Sequence, residues 1–142
     1  MLYHHVLAAY DGSEVSLKAL RQAVRLADAP GCKLTVAHVL YRPTYAVEGL
    51  GFVMPESVQE KVKEYEDGLI RKAQEEIANL PYSEISVLTG PPATAILEHA
   101  ADQNCDLIVM GSRGLGPFKE MMLGSVSHHV VQQAKCPVLI VK

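Results

Sequence analysis

The sequence predicts an α/β domain with a parallel sheet sandwiched between helices, and three observations carry that expectation. Short apolar runs alternate with segments of helical period along the whole chain. The run Val6–Tyr10 is continuously apolar and Lys33–Leu40 is rich in β-branched residues, as strands buried on both faces are. A glycine-rich stretch, Met110 to Ser125, directly follows the apolar run Asp106 to Val109, where a buried strand ends. At 142 residues the chain fits one domain, 1–142, large enough to bury about two-thirds of its unfolded surface.

Each element has its own signal. Val6–Tyr10 is closed by Asp11-Gly12-Ser13, and Leu17, Leu20, Ala23, Val24 and Ala27 then recur at helical spacing, started by Ser13 and stopped near Pro30-Gly31. Lys33–Leu40 makes the second strand. The segment Tyr41 to Pro55 has no clear period and is longer than most connections in a compact domain, so it reads as a mobile loop with a functional edge. Val58–Leu80 predicts a long charged helix whose stripe is Val62, Tyr65, Leu69, Ala73 and Ile77, ended by Pro81. Glu84–Thr89 alternates as a third strand, and Gly90-Pro91-Pro92 leads into a helix marked by Ala95, Ile96, His99 and Ala100. Asp106–Met110 is the fourth strand, Gly124–Lys135 the last helix with Val126, Val130, Val131 and Ala134 as its core face, and Val138–Val141 the fifth strand. Right-handed crossovers then put helices on both faces, and ligands of such sheets bind beyond the carboxyl ends of strands where the order reverses.

Composition narrows the function. A net charge of −3, with 13 basic and 16 acidic residues, two Phe and no Trp, offers neither a basic stripe nor stacking platforms, so no nucleic acid partner is expected. Cys32, Cys105 and Cys136 are odd in number and lack Cys-x-x-Cys spacing, which argues against a disulfide framework and a zinc site and for a reducing cytoplasm. The N-terminal apolar run is too short for a signal peptide and no 18-residue apolar stretch follows, so no membrane partner is expected either.

The glycines point to phosphate. Gly111 and Gly114 leave the fourth strand, nine residues follow, and Gly124-Ser125 opens the last helix. Glycine tolerates positive φ and close approach of a ligand, and the first amides of a helix lack internal partners at the positive end of its dipole. The competing reading is a glycine-rich surface loop followed by an ordinary serine cap. Ser125 can serve both readings, as a cap and as a hydroxyl on a phosphate oxygen. Arg113 can neutralise phosphate or simply face solvent. If the first and fourth strands are neighbours, Asp11 lies opposite this loop and can accept hydrogen bonds from ribose hydroxyls; alone, it is equally a turn or cap aspartate. A Walker A loop is excluded because no lysine follows Gly124, and Gly111, Gly114 and Gly116 lack the order and place of a dinucleotide fingerprint.

The remaining candidates read as structural. His4-His5 and His128-His129 are adjacent in sequence and diverge, so a metal there is not expected, and at least one of His128 and His129 should be exposed. His38 in the second strand reads as a hydrogen-bonded core histidine, and Cys105 and Cys136 as packed thiols. No Ser-His-Asp or Cys-His arrangement is evident.

Taken together, these motifs resemble the universal stress proteins, one subgroup of which binds ATP. The likeness spans the chain and is sharpest in Gly-x2-Gly-x9-Gly-Ser/Thr, met by Gly111, Gly114, Gly124 and Ser125, with Ala9-Tyr10-Asp11-Gly12-Ser13 and Cys136-Pro137-Val138-Leu139-Ile140-Val141 in support. The resemblance implies a five-stranded Rossmann-like sheet, of the adenine nucleotide alpha hydrolase-like kind, ordered 3-2-1-4-5. It further implies that Asp11 contacts ribose, the Val39 backbone meets adenine, Met110-Gly111 line the sugar, and Arg113, Gly114, Gly124, Ser125 and Val126 hold the phosphates of ATP, ADP or AMP. Ala9 stands where some ATP-binding relatives carry Pro, and being small it leaves room for adenine. A Mg2+ or Mn2+ ion would arrive with the phosphates, with no protein side chains as its ligands. Members commonly dimerise through the last strand, and an apolar edge at Val138, Leu139, Ile140 and Val141 is an aggregation hazard unless paired, which makes a homodimer the expected assembly.

The expected function is therefore a nucleotide-dependent regulatory protein of the stress response, with little or no hydrolysis, because no general base or helix-start lysine stands beside the glycines. Two alternatives stay open: a slow ATPase or adenylyl-transferring enzyme using the same site, and a nucleotide-free interaction module.

Overall fold

A computed structural model describes residues 2–40, 55–113 and 123–142. Five strands and four helices alternate: β1 (His5–Ala9), α1 (Glu14–Ala27), β2 (Lys33–Leu40), α2 (Glu56–Ile77), β3 (Ser83–Thr89), α3 (Pro92–Asp102), β4 (Leu107–Gly111), α4 (Ser125–Gln133) and β5 (Val138–Val141). The sheet is parallel in the order β3-β2-β1-β4-β5, so the order reverses between β1 and β4. Of the expected loop Tyr41 to Pro55, residues 41–54 lie outside the described residues, as do residues 114–122, which include the expected Gly114 and the Gly116-Pro117 pair.

Alternation within the central strands builds two cores. Val6, Ala8 and Tyr10 of the first strand and its extension, with Leu107 and Val109 of β4, pack under Ala19, Leu20 and Ala23 of α1 and Ala73 and Ile77 of α2. Leu7, Ala9, Ile108 and Met110 point the other way, onto Ala93, Ile96 and Ala100 of α3 and Val130 of α4. Every residue of β1 and β4 is buried, which is why these segments are apolar apart from the hydrogen-bonded His5.

The expected stripe of the long helix is only half used. Ala73 and Ile77 are buried and Leu69 packs on the core, whereas Val62 and Tyr65 are 44% and 56% exposed. Length explains this: 22 residues of α2 span about 33 Å, against about 26 Å for the eight residues of β2, so the first turns of the helix run past the sheet. Helix α4 is also shorter than its sequence signal, with Ala134 as C-cap, and Val131 is exposed instead of joining the core face. Both His128 and His129 are exposed.

At the amino end of the sheet, polar groups fix the strand starts. The Asp106 carboxylate accepts from the His4 and His5 amides at 2.8 and 3.0 Å. Burial pushes that carboxyl up, but these bonds hold it net below its ordinary range. His5 packs with its Nδ1 donating to the Gln103 carbonyl and its Nε2 against the Thr35 hydroxyl, and burial lowers its affinity for a second proton.

Candidate functional site

The site forms at the carboxyl ends of β1 and β4. Parallel pairing of Val6 with Leu107 and Ala8 with Val109 brings the Asp11 turn beside the Gly111 to Arg113 turn. That is the arrangement the glycine spacing and Asp11 require. Helix α1 begins with Ser13 as N-cap, whose side chain accepts from the Ser16 amide at 3.1 Å. Asp11 Oδ1 accepts from the Ser13 amide at 2.9 Å, so this carboxylate is both a turn former and a surface-reaching group. The buried Ser16 hydroxyl accepts from the Asp11 amide at 3.3 Å and donates to the Ser13 carbonyl at 2.9 Å. The turn is thereby held by hydrogen bonds among its own residues.

The turn after β4 is built around the Ser112 carbonyl. It accepts from the Gly124 amide at 2.7 Å and from the Ser127 hydroxyl at 2.9 Å, while the Ser112 amide donates to Val141 at 2.8 Å. One residue, Ser112, therefore joins the ends of β4 and β5 to the start of α4. The N-cap is Gly124, with no side-chain cap bond, and Ser125 is the first helical residue. This corrects the expectation that Ser125 caps the helix. It also reassigns the donors: the Gly124 amide is used internally, and the amides of Ser125, Val126 and Ser127 precede the first bond within α4, from His128 to Gly124 at 2.9 Å. Ser125 is exposed, and Val126 is partly buried against the second core.

The glycines act by closeness rather than by handedness. Neither Gly111 nor Gly124 has positive φ; among the described glycines that conformation belongs to Gly12, Gly31 and Gly90. A Cβ on Gly111 would lie 2.6 Å from Val15 Cγ1 and 3.2 Å from its carbonyl carbon, and one on Gly124 would lie 3.1 Å from Arg113 Cα. The turn after β4 is thus pressed against both α1 and α4. Gly12, at φ 88°, allows the sharp exit from β1, and a Cβ there would meet Leu69 Cδ2 at 2.5 Å. The Asp-Gly-Ser sequence signalled this turn, though not its contact with α2.

The remaining expected residues line the same end of the sheet. Ala9 and Met110 are buried and Val39 is partly buried, all in the core under α3 and α4. Residues that the sequence did not single out are Ser112, Ser16 and Ser127. For Ser127, the only available signal was its position three residues after the cap.

The Cys105 thiol is buried and that of Cys136 partly buried, both packed as expected. Cys105 and Cys136 line a cleft of about 520 Å³ at the opposite end of the sheet, with Leu97, Ala101 and Ala134. Burial pushes the Cys105 thiol up to about 12, and the Cys136 thiol upward as well, which leaves little thiolate for chemistry at neutral pH. Among the described residues no group of three or more His, Cys, Asp or Glu could hold a metal ion, and no helix is long and apolar enough to cross a membrane.

The model of the Universal stress protein family matches residues 2–142. The chain is 39% identical to Universal stress protein YxiE of Bacillus subtilis, covering 99% of this chain and 100% of that one. It is 37% identical to a universal stress protein of Thermus aquaticus, over 99% and 100% of the two chains. Among solved structures, hypothetical protein MJ0577 superposes with a TM-score of 0.81 at 26% identity, covering 100% of this chain and 97% of that one. A universal stress protein in complex with cAMP superposes with a TM-score of 0.70 at 28% identity, over 99% and 97%.

Proposed function

The chain belongs to the universal stress protein family, and we propose that it is a cytoplasmic, nucleotide-dependent regulatory protein that binds ATP with little or no hydrolysis. The observation that carries this reading is the meeting of Asp11 with the Gly111 to Arg113 turn and the start of α4 across the β1–β4 reversal. Donors and acceptors there are sorted by the chemistry of a nucleotide. Asp11 supplies a carboxylate for ribose hydroxyls, and the Ser125 and Val126 amides with the Ser125 hydroxyl supply donors for phosphate oxygens. The small Ala9 and the Val39 backbone leave an apolar seat for adenine, with Met110 and Gly111 along the sugar. The relative solved with cAMP supports an adenine nucleotide as the ligand class. A Mg2+ or Mn2+ ion accompanies the phosphates without a side-chain ligand of its own.

Calorimetric titration of the purified protein should give saturable ATP binding, with phosphate release slower than about once per minute, far below the roughly 10 per second of ordinary enzymes. Faster release would make the site that of a hydrolase or adenylyl transferase. No heat with ATP, and no nucleotide in the supernatant of denatured protein, would leave only an interaction module.

The assembly we propose is a dimer through β5. This strand is a sheet edge whose Val138–Val141 run is apolar, with Leu139 36% exposed, and a second copy pairing there covers the unpaired main-chain groups. Light scattering at micromolar concentration should report twice the chain mass, and charged replacement of Leu139 should shift it toward one. A wild-type monomer would contradict the assembly.

A further inference from the structure

We infer that Glu66, on α2, is a positioning residue for Asp11 and acts on it through His38. The inference rests on the nucleotide reading of the site and adds to it a determinant on a helix that contributes none of the expected contact residues.

His38 is 3% exposed and sits near the carboxyl end of β2. Its Nδ1 lies 2.9 Å from the Tyr10 carbonyl, and its Nε2 meets Glu66 Oε2, a carboxylate largely shielded from water. The carbonyl can only accept, so Nδ1 carries a hydrogen and donates it. The Tyr10 carbonyl and the Asp11 amide belong to one peptide plane, so fixing the first fixes the direction of the second. The Asp11 amide in turn donates to the Ser16 hydroxyl, and the Asp11 carboxylate accepts from Ser13. An unbroken series of contacts therefore runs from Glu66 to the ribose-side carboxylate.

A second contact on the same face of α2 lands on the same turn. Leu69, three residues beyond Glu66, occupies the space that a side chain on Gly12 would fill. Tyr10 lies between, its ring centroid 6.1 Å from that of His38. Helix α2 thus touches the Asp11 turn twice, once by packing and once by a buried hydrogen-bonded pair. Neither contact reaches the phosphate side at Ser112 and Gly124.

That asymmetry defines the test. Glu66→Leu keeps the bulk and removes the carboxyl partner of Nε2, so the His38 ring loses its anchor on α2. Glu66→Gln keeps a polar partner whose amide can donate to Nε2, and should rescue. In calorimetric titrations with ATP and with inorganic tripolyphosphate, Glu66→Leu should weaken ATP about tenfold and tripolyphosphate less than about twofold, with Glu66→Gln within about threefold of wild type for both. In ligand-free protein, Glu66→Leu should speed hydrogen exchange of the Asp11 amide and shift the His38 ring nitrogens, and Glu66→Gln should restore the exchange rate. Equal weakening of both probes, or an Asp11 amide unchanged in Glu66→Leu, overturns the inference. If wild type binds neither probe, the nucleotide reading fails, and Asp11 exchange alone decides the positioning role. Should Glu66→Leu not fold, Glu66→Ala takes its place in each arm.

Discussion

Replacing Gly111 by Val should lower stability by about 3 kcal/mol and the melting midpoint by roughly 10 °C. The added Cβ would sit 2.6 Å from Val15 Cγ1, and rotation of Val15 cannot relieve it, because the Val15 carbonyl carbon and the Arg113 carbonyl oxygen lie at 3.2 and 3.3 Å. Backbone must move on both sides. Val15 belongs to the first turn of α1, so the displacement passes directly to the Ser13 cap and the Asp11 turn. Differential scanning calorimetry checks the loss. A midpoint within 2–3 °C of wild type would show that the turn after β4 has slack, and the tightness argued for this site would be wrong.

Gly124→Val acts on the other wall. It should weaken ATP at least about a hundredfold while the protein still folds, read by calorimetric titration beside a thermal melt. The Cβ would approach Arg113 Cα to 3.1 Å and the Ser112 carbonyl oxygen to 3.5 Å, and the two further methyls of Val push the Ser112–Arg113 peptide away from the start of α4. On the proposed reading, phosphate oxygens sit between that peptide and the Ser125 and Val126 amides. Because the contact is with protein backbone, the substitution also costs stability, of order 1–3 kcal/mol, and is not the purely ligand-directed change that glycine spacing alone suggests. Unchanged ATP affinity would remove α4's first turn from the site.

Much of the fold is legible in sequence because local and long-range signals agree. The unbroken apolar runs of β1 and β4 require burial on two faces, and the Gly-Ser start of α4 marks where its amides open. What stayed hidden depends on contacts between distant positions. His38 and Glu66 are 28 residues apart and both have ordinary local readings, one as a core histidine and the other as one of many acids on a charged helix. Only superposition of α2 on the ends of β1 and β2 makes them a pair. The same holds for Ser112 and Ser127, 15 residues apart, whose bond arises because α4 returns to the turn that follows β4. The stripe of α2 shows the opposite failure. Its period is regular through Val62 and Tyr65, yet a helix longer than its sheet has turns with nothing beneath them.

On the proposed reading, main-chain amides beyond the β1–β4 reversal hold an adenine nucleotide. Nitrogen-15 amide spectra of the wild-type protein titrated with ATP test it most directly. Saturable shifts are expected at Asp11, Val39, Gly111 to Arg113 and Ser125 to Ser127, with Cys105 and Cys136 at the opposite end unmoved. Shifts confined to that opposite end, or none at all at millimolar ATP, would contradict it.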